Sequence, residues 1–177
     1  FFMETHGITR EAGGFLSSML TLSAMILTPL FGLLADYMGK RSFLMMLGSL
    51  LIIPVYLLMA YTHVNLYIPM AIMGISFSLI PAVMWPSVAL IVDESRLGTA
   101  YGLMTMVQNI GLSGFNLLIG WANDTSGGYT MGMWIFSSLG FFGLLFAFLL
   151  KSSQKKTSGH NLEVGIRDKK AVAETEA

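Results

Sequence analysis

The fold is decided by the stretch Gly32-Leu33-Leu34-Ala35-Asp36-Tyr37-Met38-Gly39-Lys40-Arg41, which lies between two long apolar runs. We call residues 32–41 the hinge. Glycine permits a tight turn, and a hydrocarbon layer excludes charged side chains, so a short charged stretch bounded by glycines favours a loop. The hinge therefore predicts two membrane-length helices that meet at one face of a bilayer.

Composition extends this prediction to the rest of the chain. The 177 residues are 54% hydrophobic and 11% charged, with a mean hydropathy of +0.68, whereas charged residues make up about 25% of soluble domains. A helix needs roughly 20 apolar residues to cross a hydrocarbon core of about 30 Å. Five stretches meet this length and predict an all-α membrane protein with a five-helix bundle over residues 13–150. The predicted spans are 13–35, 42–61, 66–92, 99–122 and 130–150.

Positive charges predict the orientation of these spans, because lysine and arginine are enriched in cytoplasmic loops. Arg10 precedes the first span on one side. The other side carries six basic residues close to the membrane: Lys40, Arg41, Arg96, Lys151, Lys155 and Lys156. The hinge and the C-terminus are therefore expected in the cytoplasm.

The two ends of the chain are expected to differ. Residues 1–12 are interpreted as a non-cytoplasmic segment that includes the stub of a preceding helix, because Phe1-Phe2 is apolar and no initiator methionine comes first. The chain is accordingly interpreted as a C-terminal part of a longer protein. Residues 151–177 are polar and mixed in charge, without apolar periodicity, which predicts a disordered cytoplasmic tail.

Residue types that support catalysis are sparse. The chain has no cysteine, and its three histidines all lie outside the predicted spans without the spacing of metal ligands. No glycine-rich phosphate loop follows a strand pattern, and no nucleophile is paired with a base. We expect no enzymatic activity, cofactor, metal ion or nucleic-acid partner.

The hinge pattern Gly-x-x-x-Asp-x-x-Gly-Lys-Arg resembles the signature loop of the major facilitator superfamily. In that family the loop joins helices two and three and recurs between helices eight and nine. The third span lacks the in-membrane arginine of many fourth helices, and the fourth lacks the Gly-Pro pattern of many fifth helices, so the five spans most resemble helices eight to twelve. The resemblance implies the C-terminal helical bundle of a transporter, completed by an N-terminal half.

The same resemblance assigns conformational roles within the hinge. Gly32 is expected to allow close helix approach and Gly39 a tight turn, while Lys40 and Arg41 hold the loop in the cytoplasm. Asp36 lies near a helix C-terminus, whose dipole disfavours a carboxylate, so it should have a partner. In the family that partner is the N-terminal end of a helix from the opposite half, and the contact locks the outward-open state.

Four further blocks extend the resemblance over most of residues 1–150. They resemble one group within the superfamily, lysosomal dipeptide uniporters that associate with a glycosylated accessory membrane protein. The resemblance implies facilitated transport of dipeptides by alternating access across the lysosomal membrane, with that accessory protein or a second copy of the chain as a partner. The blocks are Gly74–Leu79, Trp85–Ala89, Leu97–Gly102 and Gln108–Gly111.

Two alternative functions remain open from the sequence. One is an ion-coupled carrier of sugars, organic acids or drugs in the plasma membrane or another membrane. The other is a non-transporting scaffold or receptor of the same fold. No ionisable residue lies deep within a predicted span. The protein is therefore either a uniporter or one whose coupling residues lie in its other half.

Polar residues within the spans are the candidates for a substrate pathway. In the fourth span such residues recur every three or four positions and share one helical face. The hydrogen-bonding groups of this face need polar partners, which either a water-filled pathway or a neighbouring helix would supply. Both interpretations remain open. The pathway candidates are Thr21, Ser78, Trp85, Thr105, Gln108, Asn109, Ser113 and Asn116.

Asp93 and Glu94 follow the third span at the predicted cytoplasmic face, as the hinge does. We hypothesise that Arg41 pairs with one of these carboxylates when the cytoplasmic side closes. The alternative is a pair of solvated carboxylates, whose ion pairs would contribute well under about 1 kcal/mol.

Overall fold

Five long helices build the protein in the computed structural model, which describes residues 3, 6–61, 65–154 and 162–167. Each is long and apolar enough to cross a membrane. This confirms the predicted all-α fold class with five candidate membrane-spanning helices, and the chain is a multi-pass membrane protein. The helices are α1 (Arg10–Met38), α2 (Arg41–Tyr61), α3 (Tyr67–Ile91), α4 (Leu97–Ser126) and α5 (Thr130–Gln154).

Local backbone chemistry sets the helix ends. Thr9 caps α1, since its Oγ1 accepts a hydrogen bond from the Ala12 amide at 3.3 Å. Gly39 ends α1 at φ 65°, and Gly127 ends α4 at φ 66°. The helices α1 and α4 run a few residues past both ends of their predicted spans, because those spans were judged by apolar content and caps lie in the polar flanks, whereas α3 lies within its predicted span.

Four of the helices pack closely through small residues. α2 lies between α3 and α5, and α1 packs on α3. A Cβ added at Gly74 of α3 would lie 2.6 Å from Ser23 Oγ of α1. One added at Gly140 of α5 would lie 2.5 Å from Ile53 Cγ1 of α2. Small side chains thus let the helix backbones approach, as is common in membrane proteins.

Hydrogen bonds from buried serines join these helices. Ser76 Oγ of α3 donates to the Gly48 carbonyl of α2 at 2.6 Å. Ser137 Oγ of α5 donates to the Ile53 carbonyl of α2 at 3.4 Å. Both serines are fully buried, so their hydroxyls satisfy the need for a partner inside the bundle.

The helix α4 is peripheral in this arrangement. Ala122 is the only buried residue along the described α4, and it lies near the turn into α5. At that turn the helices touch closely, since a Cβ at Gly132 would lie 2.8 Å from Asn123 Oδ1. Elsewhere α4 makes few contacts with α3, so most of its surface is open.

Candidate functional site

The first part of α4 is tied to α3 by two aromatic residues. The rings of Trp85 and Tyr101 stack with centroids 5.5 Å apart and an interplanar angle of 21°. The Tyr101 hydroxyl also donates a hydrogen bond to the Trp85 carbonyl at 3.0 Å. Both residues are half-buried. The predicted candidate Trp85 is therefore held in place, with part of its indole accessible.

A hydrogen-bonded ladder follows Tyr101 along the polar face of α4. Thr105 Oγ1 donates to the Tyr101 carbonyl at 2.8 Å, and Asn109 Nδ2 donates to the Thr105 carbonyl at 2.9 Å. These bonds fold both side chains back onto their own helix. Asn109 is exposed, and its Oδ1 accepts no hydrogen bond from the described residues. The Asn109 amide oxygen is thus an acceptor on an exposed residue that has no donor among the described residues.

Gln108 and Trp85 line the same cavity, which has a volume of about 260 Å³ and lies between α2, α3 and α4. Tyr56, Met73 and Phe77 form much of its remaining wall. The structure therefore brings two predicted candidates together in an aromatic setting. The sequence did not reveal these three residues, because aromatic and methionine side chains in a span look the same whether they face lipid or a cavity.

The other pathway candidates are scattered. Ser113 and Asn116 lie exposed farther along α4, and Thr21 is exposed on α1, a helix that packs on α3. Ser78 is fully buried and donates to the Gly74 carbonyl at 2.6 Å. Its hydroxyl therefore bonds within α3. The structure assembles Trp85 and Gln108 directly, and it leaves Thr21 and Ser78 apart from them.

The hinge forms a compact turn with an internal ion pair. Gly39 and Lys40 both have positive φ angles, of 65° and 45°, which reverse the chain between α1 and α2. The Arg41 guanidinium pairs with the Asp36 carboxylate. Arg41 is only 7% exposed, while Asp36 is exposed. The partner that Asp36 requires is thus supplied within the hinge itself.

Two further predictions about gating residues stay open. A Cβ at Gly32 would meet no atom within 4 Å among the described residues, so the close approach predicted there is not made by this part of the protein. Asp93 and Glu94 lie exposed around a short 3-10 turn, Glu94–Arg96. Arg41 is paired with Asp36 here, and its hypothesised pairing with Asp93 or Glu94 stays a prediction for another conformation.

Part of the predicted tail lies against the hinge. Residues 151–154 continue α5, and residues 162–167 contact Gly39–Ser42. Backbone hydrogen bonds and one buried leucine make this contact. The disorder predicted for residues 151–177 from composition stays a prediction. The other tail residues lie outside the described part of the chain.

Comparison with known proteins identifies the family. The model of the Major Facilitator Superfamily matches residues 1–173. The chain is 35% identical over 127 residues to the lysosomal dipeptide transporter MFSD1 of Bos taurus, covering 72% of this chain and 27% of that protein. It is 31% identical over 174 residues to the Danio rerio transporter of the same name, covering 98% of this chain and 38% of that protein.

The human relative gives a similar result. The Homo sapiens lysosomal dipeptide transporter MFSD1 is 29% identical over 174 residues, covering 97% of this chain and 37% of the human protein. The chain thus spans between 27% and 38% of the length of these curated relatives. The resemblance read from the hinge and the four sequence blocks is confirmed by these matches.

Proposed function

This chain belongs to the Major Facilitator Superfamily, and we propose that the protein it helps to form is a transporter of dipeptides or similar zwitterions. The proposed mechanism is alternating access, in which two helical halves rock about a site near the middle of the membrane. The chain supplies one wall of that site through α3 and α4. The other wall is supplied by the remainder of the protein.

The observation that carries the proposal is the open polar face of α4. No side chain in its most apolar 18-residue window is buried within the described structure. The face nevertheless presents Thr105, Gln108, Asn109, Ser113 and Asn116. Polar groups in hydrocarbon are costly, so such a face requires water, substrate or another helix beside it. A water-filled pathway between two halves satisfies this requirement.

The chemistry of that face suits a peptide. A dipeptide carries an ammonium group, a carboxylate and one amide. The Asn109 amide oxygen accepts hydrogen bonds, and the Gln108 side chain both donates and accepts them. The accessible part of Trp85 offers an aromatic face for an ammonium group or an apolar side chain. The dipeptide transporters named above, to which this chain is similar, support the same substrate class.

The proposal also specifies the mode of transport, the membrane and the protein partner. Uniport is supported by spans that carry no ionisable residue at depth. The lysosomal membrane is supported by the similarity of this chain to lysosomal dipeptide transporters. In that membrane the hinge and the C-terminus face the cytoplasm, in accordance with the distribution of lysine and arginine. A glycosylated accessory membrane protein or a second copy of the chain is the proposed protein partner.

The proposal is tested with the complete protein reconstituted in liposomes. Uptake of a labelled dipeptide library is measured with and without a proton gradient. We expect uptake that does not depend on the gradient and that falls when Gln108 is replaced by leucine. The matched control is Val107→Leu, which changes an exposed apolar neighbour on the same helix.

Other results would assign a different function. Uptake only with an imposed gradient would replace uniport by ion-coupled transport. Uptake of sugars, organic acids or drugs without dipeptides would overturn the substrate class. If no solute is taken up and the α4 face tolerates leucine throughout, the protein is a scaffold or receptor of this fold.

A further inference from the structure

Residues 162–167 form a segment, which we call the tail segment, that lies across the hinge. The Lys40 amide donates to the Glu163 carbonyl at 3.2 Å, and the Arg41 amide donates to the Leu162 carbonyl at 3.4 Å. Gly39 and Val164 form an antiparallel bridge. The contact therefore involves the backbone of the turn itself as well as side chains.

The fit between the two segments depends on glycine on both sides. A Cβ added at Gly39 would lie 2.4 Å from the Glu163 carbonyl oxygen. One added at Gly165 would lie 2.4 Å from the Tyr37 carbonyl oxygen and from the Gly39 amide nitrogen. These neighbours are backbone atoms, which cannot rotate away as a side chain can. The hinge therefore accepts the tail segment only because both positions lack a side chain.

Leu162 anchors the tail segment to the helices beyond the hinge. Its side chain is 1% exposed. It lines an apolar cavity of about 410 Å³ between α2, α3 and α5, beside Met45 and Leu150. A leucine fully buried in this way contributes about 1.5–3 kcal/mol relative to exposure. The tail segment is thus attached to the bundle by apolar burial as well as by hydrogen bonds.

The tail segment also completes the start of α2. The first amides of a helix have no partner within the helix. At α2, the Arg41 amide donates to the Leu162 carbonyl, and the Ser42 amide donates to the Glu163 carboxylate oxygen Oε1 at 3.2 Å. A carboxylate at this position is also favoured by the helix dipole. Docking therefore stabilises one particular geometry of the turn between α1 and α2.

We propose that the hinge is a docking site for the chain's own C-terminal segment, and that the docked segment stiffens the turn between α1 and α2 and thereby slows transport. The tail segment contacts the end of α1 at Gly39 and the start of α2 at Ser42, so a change of angle between these helices must break its hydrogen bonds. The docked segment also accepts a hydrogen bond from the Arg41 amide while the Arg41 guanidinium is paired with Asp36. Release of the segment frees the hinge and accelerates transport.

The experiment uses the variant Gly165→Val in the complete protein, because this change lies in the tail segment and replaces no residue of the five helices. Hydrogen exchange of the Lys40, Arg41 and Ser42 amides is measured first. We expect exchange to accelerate by about tenfold or more when docking is lost. The control is Val164→Ala, since the Val164 side chain is 40% exposed and the bridge uses its backbone.

The second measurement is the initial rate of dipeptide uptake in liposomes, which rests on the proposed function. We expect Gly165→Val to raise the rate by about twofold or more, with Val164→Ala unchanged. A truncation after Gln154, which removes the tail segment entirely, should match Gly165→Val in both measurements. Agreement between the two variants separates loss of docking from an incidental effect of valine.

Each outcome decides a part of the inference. Unchanged exchange in both variants overturns docking. Accelerated exchange with an unaltered uptake rate overturns the restraint on transport. If the unmodified protein takes up no dipeptide, the proposed function fails, and the exchange measurement still decides docking because it requires no substrate.

Discussion

The helices α3 and α4 carry the same kind of sequence pattern but occupy different environments. Both have small and polar residues at helical spacing within an apolar span. In α3, 44% of the most apolar window is buried, whereas the corresponding window of α4 has no buried residue in the described structure. Ser76 and Ser78 of α3 hydrogen-bond to backbone carbonyls inside the bundle. Ser113 and Asn116 of α4 are exposed.

The difference shows that a polar stripe in a membrane helix has two distinct uses. On α3 the stripe brings helices together, because small residues allow close backbone approach. On α4 the polar side chains are exposed, so they do not serve helix packing within this part of the protein. We infer that the α3 stripe stabilises the bundle and that the α4 stripe serves the pathway. The following substitutions separate stability from transport at the two sites.

The largest expected effect is at a packed glycine. Gly140→Val places a Cβ 2.5 Å from Ile53 Cγ1 and 3.1 Å from the Ser49 carbonyl oxygen. Overpacking of this kind costs about 1–3 kcal/mol, so thermal unfolding of the complete protein in detergent should shift to lower temperature. The matched control is Gly102→Val on α4, where a Cβ meets no described atom within 4 Å. Equal destabilisation by both variants would contradict the distinction between the packed helices and α4.

The second prediction concerns the free acceptor on α4. Asn109→Leu removes the amide oxygen of this exposed residue while keeping a side chain of similar size. Loss of a hydrogen bond to a charged substrate group costs about 1.5–3 kcal/mol, so dipeptide uptake should fall by about tenfold or more. Val107→Leu serves as the control on the same helix. Normal uptake by Asn109→Leu would indicate that this face serves packing.

The third prediction compares two serines. Ser78→Ala removes the bond to the Gly74 carbonyl inside α3, and we expect a loss of stability of about 1 kcal/mol or less with unchanged uptake. Ser113→Ala on α4 should show the opposite, with unchanged thermal stability and reduced uptake. Thermal unfolding and liposome uptake are measured on both variants. A loss of uptake confined to Ser78→Ala would reverse the assignment of the two helices.

The smallest expected effect is at the contact between α3 and α4. Tyr101→Phe retains the ring stacked on Trp85 and removes the hydroxyl that bonds to its carbonyl. The lost bond is worth about 0.5–1.5 kcal/mol, so uptake should fall by about two- to tenfold. Tyr101→Ala removes the stack as well and should lower uptake further. Equal effects of the two variants would show that the hydroxyl, and not the stack, positions Trp85.

The sequence was sufficient to predict the architecture. The hinge and the five apolar stretches predicted the helices to within a few residues of their observed bounds, since hydrocarbon thickness fixes the length of a span. The blocks that include Trp85 and Gln108 pointed to the family. Polar spacing on α4 also identified a face that the structure leaves open.

Other parts of the candidate site could not be predicted. In the sequence, Ser78 and Asn109 are both polar residues within an apolar span. Only the positions of the neighbouring helices show that Ser78 is buried where α3 packs and that Asn109 lies on an open face of α4. Phe77 lines the cavity beside Gln108, but its residue type is equally suited to lipid. The turn at Gly39 was predicted, but the docking of Leu162 beside it was not, because residues 151–177 show no apolar periodicity that would indicate a packed segment.

The most direct test of the account is the accessibility of introduced cysteines, because this chain has no cysteine of its own. Single cysteines are placed at Thr105, Asn109 and Ser113 of α4, and at Ser76 and Ser78 of α3, in the complete protein with its other cysteines replaced. A membrane-impermeant thiol reagent is then applied with and without dipeptide. The account predicts rapid labelling of the α4 positions, slowed by dipeptide, and little labelling of the α3 positions. The account would be contradicted if the α3 positions were labelled and the α4 positions were not, whether or not dipeptide is present.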